Sequence, residues 1–282
     1  MGGHGRVMVN LARPRTPTAG RPGPAKARGG IAMSKSKAAA CLAVMALCLA
    51  LAAPALSADS AALLKQADEL YAQRADLAKA KQAADLYEKA LAADPKNEEA
   101  AWKAARVLYW IGRNTEGDEA KVKVFERGIE DAKKAIAINP KSLGGHYWLG
   151  VSYGLYGSAK GVTKSLSLIN PIKEEMAAVI EQDPKYDEGG PYRVLGRLYF
   201  KVPGIFGGSN SEAIENLKTA IKYGPTRWLN QLYLAEVYID EDENDKAKAL
   251  LAQVIKGPAP KGLEPEYAMW KAKAQELMKE IQ

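Results

Sequence analysis

His146, Arg193, Arg197, the glycine run at 154–161 and the acidic run at 240–245 carry the residue types in this sequence that could do chemistry. His146 shares the chain with only one other histidine, His4, so a histidine-built metal centre is excluded by counting. The glycine run lacks a Gly-Lys-Ser/Thr ending at the spacing a phosphate loop needs, and no strand pattern precedes it. In the acidic run the sixth position is Asp245 and the twelfth is Leu251, where a calcium loop requires Gly and Glu. It reads instead as a polar turn, with Asn244 or Asp245 capping the next helix. Arg193 and Arg197 are four apart, so on a helix they project from one side. They can pair with Glu188 or Glu236 as structural ion pairs, the preferred reading, or face a carboxylate ligand or acidic partner. No enzyme activity, cofactor or metal is expected.

The aromatic residues all follow residue 58. Most fall at positions expected to pack a core. Trp110, Tyr156, Tyr192, Phe200, Phe206 and Trp228 lie outside that pattern or beside insertions, and are expected to form an apolar groove for a small ligand or peptide. With Arg193, Arg197, Asn230 and Glu236, these residues (Trp110 aside) make up the expected binding site.

The elements that must position these groups emerge once the chain is divided. Its 40 Lys+Arg against 33 Asp+Glu would suggest a polyanionic partner. Eight of the basic residues and none of the acids fall in residues 1–58, leaving 32 against 33, so nucleic acid is not expected as a partner of the rest. From Met33 the sequence has the order of a secretory signal: Lys35 and Lys37, an apolar run from Ala38 to Ala53, then Pro54 and small residues. Cleavage is expected after Ala58, with Ala55 as the alternative, and the product is expected in the periplasm. The apolar run is shorter than the ~20 residues a spanning helix needs. Leu47 before Cys48, and the lack of an apolar stretch before Cys41, favour a soluble product over a lipoprotein. Residues 1–32, rich in Gly, Pro and Arg, have no core-forming pattern and are expected to be untranslated or disordered.

Residues 59–282 are expected to be all-α. Five segments end a helix alike: AADLYEKALAADP, GIEDAKKAIAINP, IKEEMAAVIEQDP, AIENLKTAIKYGP and AKALLAQVIKGP. A preceding helix in each of the last four units carries a small residue and then an aromatic, as in Gly150 with Tyr153, Gly196 with Tyr199 and Ala235 with Tyr238. This pattern resembles the tetratricopeptide repeat family and implies a solenoid of about five helical hairpins with a C-terminal capping helix from Glu264. The small residues would let paired helices approach, each proline would end the second helix, and Ser209 to Glu212 has capping-box spacing. Insertions at 112–123, 154–170 and 202–208 are expected as long loops on one edge, facing a ligand.

The stretch at 186–238, with GGPYRVLGRLYFKVPG and LNQLYLAEVY, resembles the T component of tripartite ATP-independent periplasmic transporters more particularly. That resemblance implies a periplasmic accessory protein that associates with a solute-binding protein, handles an apolar or organic-acid ligand and forms trimers. The same stretch is similar to the eukaryotic regulators of microtubule dynamics, which share the Leu195-Gly196-Arg197 core; the export signal argues against their role here. The alternative function is an assembly factor that binds peptides or proteins in cell-envelope biogenesis.

Overall fold

The computed structural model describes residues 59–281, and the readings of residues 1–32 and of the signal at 33–58 lie outside the described residues. The described residues are helical throughout apart from turns. Five hairpins pair α1 (59–71) with α2 (Leu77–Ala93), α3 (Glu98–Arg113) with α4 (Asp118–Ile138), α5 (Leu143–Lys160) with α7 (Ile169–Gln182), α8 (Tyr186–Lys201) with α9 (Asn210–Tyr223), and α10 (Trp228–Asp240) with α11 (Asn244–Lys256). A short helix α6 (Val162–Ser167) interrupts the third hairpin, and α12 (Glu264–Glu280) caps the array. The expected solenoid of five hairpins and a capping helix is the observed fold.

Each second helix stops two residues before its proline: at Ala93, Ile138, Gln182, Tyr223 and Lys256, ahead of Pro95, Pro140, Pro184, Pro225 and Pro258. The proline ring disfavours helical backbone in the preceding residue. Accordingly Asp94, Asn139 and Asp183 have left the helix for extended conformations. Asn97 and Ser142 cap the helices that follow, each accepting a backbone N–H at 2.9 Å. Ser209 Oγ accepts the Glu212 N–H at 3.2 Å, as the capping-box spacing predicts. At the acidic turn α11 starts at Asn244 with no side-chain cap, so neither Asn244 nor Asp245 has that role. The turn is tied instead to the start of α9, where Asn210 donates to Asp240 at 2.8 Å.

The small residues sit where helices touch. A Cβ on Gly150 would lie 2.5 Å from Met176 Cε, and one on Gly196 would lie 2.6 Å from Leu217 Cγ and 3.1 Å from the Ala213 carbonyl oxygen. Met176 can bend away, but the Ala213 backbone cannot. Gly196→Ala is therefore expected to cost about 1–3 kcal/mol by overpacking, read as a lowered thermal midpoint, with Gly150→Ala milder.

Two insertions differ from the expected long loops. Residues 112–123 mostly lengthen helices, giving α4 its 21 residues. Residues 154–170 extend α5 and form α6, because they lack any proline before Pro171 and keep helix-compatible side chains. Only 202–208 stays a compact turn, around a 3-10 segment at Gly204–Phe206.

The array bends until its ends meet. Arg74, in the turn after α1, donates from Nε to Glu266 Oε1 of α12 at 2.7 Å and from a terminal nitrogen to the Gly262 carbonyl at 2.6 Å. Both residues are buried. Trp110 holds the same turn by donating to the Arg74 carbonyl at 2.6 Å. Met269 of α12 packs on the N-terminal core, while Trp270, Ala274 and Leu277 belong to the C-terminal one.

Candidate functional site

Closing the solenoid encloses a cavity of about 740 Å³, within the usual range of small-molecule sites. Its wall is built from helix faces. Arg106, Tyr109 and Arg113 stand three and four apart on α3; Arg193, Arg197 and Lys201 stand four apart on α8. Tyr147, Trp148, Val151 and Leu155 of α5 supply apolar and aromatic surface, and α10 and α12 add Tyr233 and Trp270.

The charge of this wall is one-sided. Seven cationic side chains, Arg74, Arg106, Arg113, Arg193, Arg197, Lys201 and Arg227, line it against the two carboxylates of Asp187 and Glu266. A low-dielectric recess lined by one sign of charge concentrates the opposite sign.

Some of these cations are committed to structure. Asp187 is a hub: both its oxygens accept from Arg227 at 3.0 Å, Tyr147 Oη donates to it at 2.8 Å, and Arg193 pairs with it. Burial pushes its carboxyl up, but Arg227 and Arg193 outweigh this and hold it below its ordinary value. Arg193 also donates to Asn230 Oδ1 at 2.9 Å and to Tyr147 Oη at 2.7 Å. The backbone at Asp187, Glu188 and Gly189 is left-handed, with φ of 47°, 55° and 80°, a conformation that costs side-chain-bearing residues energy. It is this turn that aims Asp187 inward.

One cation faces the cavity uncommitted. Among the described residues, Arg113 has no carboxylate within ion-pair distance, and it is exposed to the cavity. Tyr109 and Tyr233 lie beside it and raise its already high pKa. The Nε of Arg106 and that of Arg227 are buried without a hydrogen-bond partner. The Arg106 guanidinium lies 4.0 Å from the Tyr71 ring centre and 3.8 Å from an Asp68 carboxylate oxygen, so a cation–π contact and a long ion pair hold it. Burial pushes the Tyr109 phenol up to about 12 and raises Tyr147 further still. Both hydroxyls therefore keep their protons at neutral pH; that of Tyr147 is committed to Asp187, and that of Tyr109 can donate to an anion. The arrangement supplies recognition of an anionic group and an apolar body. Among the described residues no group of three His, Cys, Asp or Glu is placed to hold a metal.

Of the residues expected from sequence, Arg193 and Arg197 line the cavity. Arg197 pairs with Glu236, as anticipated, and lies 4.4 Å from the Tyr233 ring centre; Arg193 pairs with Asp187 rather than Glu188. Asn230 is fully buried behind the wall, donating to the Ala220, Gly224 and Glu188 carbonyls. Trp228 is buried and donates to the Pro258 carbonyl at 2.8 Å. Tyr192 stacks on Tyr223 away from the cavity, and Tyr156 donates to Glu126 at 3.0 Å. Phe200 packs on the C-terminal core, Phe206 is exposed, and Trp110 is buried beside Arg74. Sequence reading missed Arg106, Tyr109, Arg113, Asp187 and Arg227. The signal for the first three was present, since at spacings of three and four they share one face of a helix, as Arg193 and Arg197 do. His146 also has a partner, Glu175 at 2.6 Å, and this pair ties α5 to α7.

A family model described as regulator of microtubule dynamics protein 1-3 matches residues 63–206, just over half of the chain, and a tetratricopeptide repeat model matches residues 208–274. No curated protein matches. Among solved structures, a thermophilic tetratricopeptide protein from Thermus thermophilus is 25% identical with a TM-score of 0.54, over 75% of this chain and 98% of that one. The pilF protein of Pseudomonas aeruginosa is 17% identical, TM-score 0.47, over 77% and 92%. A MamA from Desulfovibrio magneticus is 14% identical, TM-score 0.44, over 73% and 96%.

Proposed function

We propose that this chain, which belongs to the regulator of microtubule dynamics protein 1-3 family and has the tetratricopeptide fold of non-enzymatic interaction scaffolds, works as an exported binding protein whose closed cavity holds a small organic anion. The observation that carries the reading is the excess of cations over carboxylates on an otherwise aromatic and aliphatic wall. A carboxylate or sulfonate on an apolar body meets the free guanidinium of Arg113 and covers Trp148 and Val151. The signal pattern at 33–58 supports export and speaks against the microtubule role in the family's description. The finer form of the reading is an accessory component that passes an organic acid to a periplasmic solute-binding protein. It is supported by the resemblance over 186–238 and by the sign of the cavity charge.

Two dyes of similar shape test it: anionic 8-anilinonaphthalene-1-sulfonate and neutral N-phenyl-1-naphthylamine. The anionic dye should bind at a single site and be displaced by aromatic or medium-chain carboxylates. Arg113→Gln should weaken it about tenfold, the scale of one hydrogen bond to a charged group, and leave the neutral dye and the melting temperature unchanged. Equal loss of both dyes, or displacement by extended peptides and not by small acids, would favour the envelope assembly factor. Arg193 is unsuited to this test, because its bonds to Asp187, Tyr147 and Asn230 make it part of the fold.

A further inference from the structure

Arg113 and Tyr233 lie side by side on the cavity wall, although one comes from α3 in the second hairpin and the other from α10 in the fifth. Helix α3 packs against α2, α4 and α5, and α10 against α8, α9, α11 and α12. Their meeting is therefore a product of the bend that closes the array. Tyr233 also neighbours the cations of the fourth hairpin. The Arg197 guanidinium lies 4.4 Å from its ring centre, Arg197 pairs with Glu236 at 2.5 Å, and Lys201 lies 3.9 Å from the same carboxylate. Among the described residues, Glu236 is the one carboxylate that pairs with any of Arg113, Arg197 and Lys201. Asp240, one turn further along α10, is bonded to Asn210. Three cations on two walls thus share one anion of the protein.

The junction that closes the array belongs to the same cavity. Arg74, Gly262 and Glu266 line it, and Arg74 meets the other two across the ends of the chain. When such ends part, both charges regain water, so a buried ion pair gives little net stability to the closed form. An equilibrium of this kind is shifted by any ligand that binds one of its two states better. An anion on Arg113 reaches Arg197 and Lys201 only while the second hairpin faces the fourth and fifth. With the ends parted, it keeps one wall and loses the other.

On the reading of this cavity as an anion site, we infer that the bound anion is a second clasp on the ring. It bridges Arg113 to Arg197 and Lys201, its occupancy favours the closed junction, and closure of the junction raises its affinity by the same factor.

Spin labels on Gln73→Cys and Lys261→Cys, exposed positions on the two sides of the junction, report the distance between the ends in the full chain carrying Cys41→Ser and Cys48→Ser. A short, narrow distribution is expected. Glu266→Ala should add a longer, broader population; Glu266→Gln, which keeps an acceptor for Arg74, serves as the background should the alanine variant not fold. In that background 8-anilinonaphthalene-1-sulfonate at about ten times its Kd should raise the ratio of short to long distances about tenfold, as for a ligand that binds the closed form alone. Arg113→Gln should remove this shift at matched dye occupancy, and Lys201→Gln should reduce it. The Glu266 variant should also bind the dye more weakly, in proportion to the closed population it has lost. A dye that binds through Arg113 while the distances stay as they were overturns the inference and leaves the proposed function standing. A shift that survives Arg113→Gln at matched occupancy overturns the bridge. A dye indifferent to Arg113 overturns the proposed function and the inference with it.

Discussion

Replacing Glu266 with alanine should destabilise the chain by about 3–5 kcal/mol, the usual cost of removing one partner of a buried ion pair. Arg74 and Glu266 are both almost fully buried and are 192 residues apart in sequence. Without Glu266, Arg74 keeps the Gly262 carbonyl and a face-on contact with Tyr71, its guanidinium 4.6 Å from the ring centre. These satisfy some of its donors but supply no opposite charge. The loss should appear as a lower denaturant midpoint and as faster hydrogen exchange in the turn at 72–76 and around residue 262, where the ends meet. The control is the pair Arg74→Met with Glu266→Leu. Removing both charges spares the desolvation penalty, so the double variant should be more stable than Glu266→Ala alone. If the single variant melts like the parent, the junction of the ends contributes little and the cavity is an open groove.

Asp187→Asn should cost a comparable amount, about 3–5 kcal/mol. Asparagine tolerates the left-handed backbone at this position, so the change isolates the charge from the strain. It leaves Arg193 and Arg227 near each other without their shared anion, and Arg193 is 3% exposed. The same hub sets an acid limit. Asp187 titrates below its ordinary value in the folded chain. Its contribution is therefore complete above the unfolded value of about 3.9 and is lost as pH falls through the lower folded value. The parent's stability should fall steeply below about pH 4, whereas Asp187→Asn should show a shallower acid dependence from a lower starting point. Parallel acid profiles for the two would place the titration elsewhere.

Much of the architecture was written locally. The stops of all five second helices follow from the clash between a proline ring and helical backbone in the residue before it. The approach at Gly196 and the cap at Ser209 likewise depend on neighbours a turn away or in the adjoining helix of the same hairpin. These are short-range rules, and repetition in register makes them legible. The insertion at 112–123 was less so, because a polar stretch with helical propensity reads equally as loop or as extended helix until packing of α4 against α3 and α5 selects the latter.

The site followed a different logic. Tyr156 and Tyr192 stand outside the repeat pattern as Tyr109 and Tyr233 do not, yet the first two face away from the cavity and the last two line it. Position in the repeat tells which residues pack within a hairpin, but not which face turns inward once hairpins stack and bend. Glu188 was offered as a partner for these arginines, but three successive left-handed residues bring Asp187 to Arg193 instead.

The sequence by itself determined the class of fold, the number of hairpins, where each second helix ends and the near-neutral balance of residues 59–282. Only the tertiary structure decided that the ends close through Arg74 and Glu266, which faces enclose the cavity, and that its wall is strongly cationic. The reason is physical. Helix ends and hairpin contacts are set by interactions over a few residues or one repeat. Closure sums small rotations over five hairpins and is fixed by a single pair of charges whose positions in the chain give no sign that they meet.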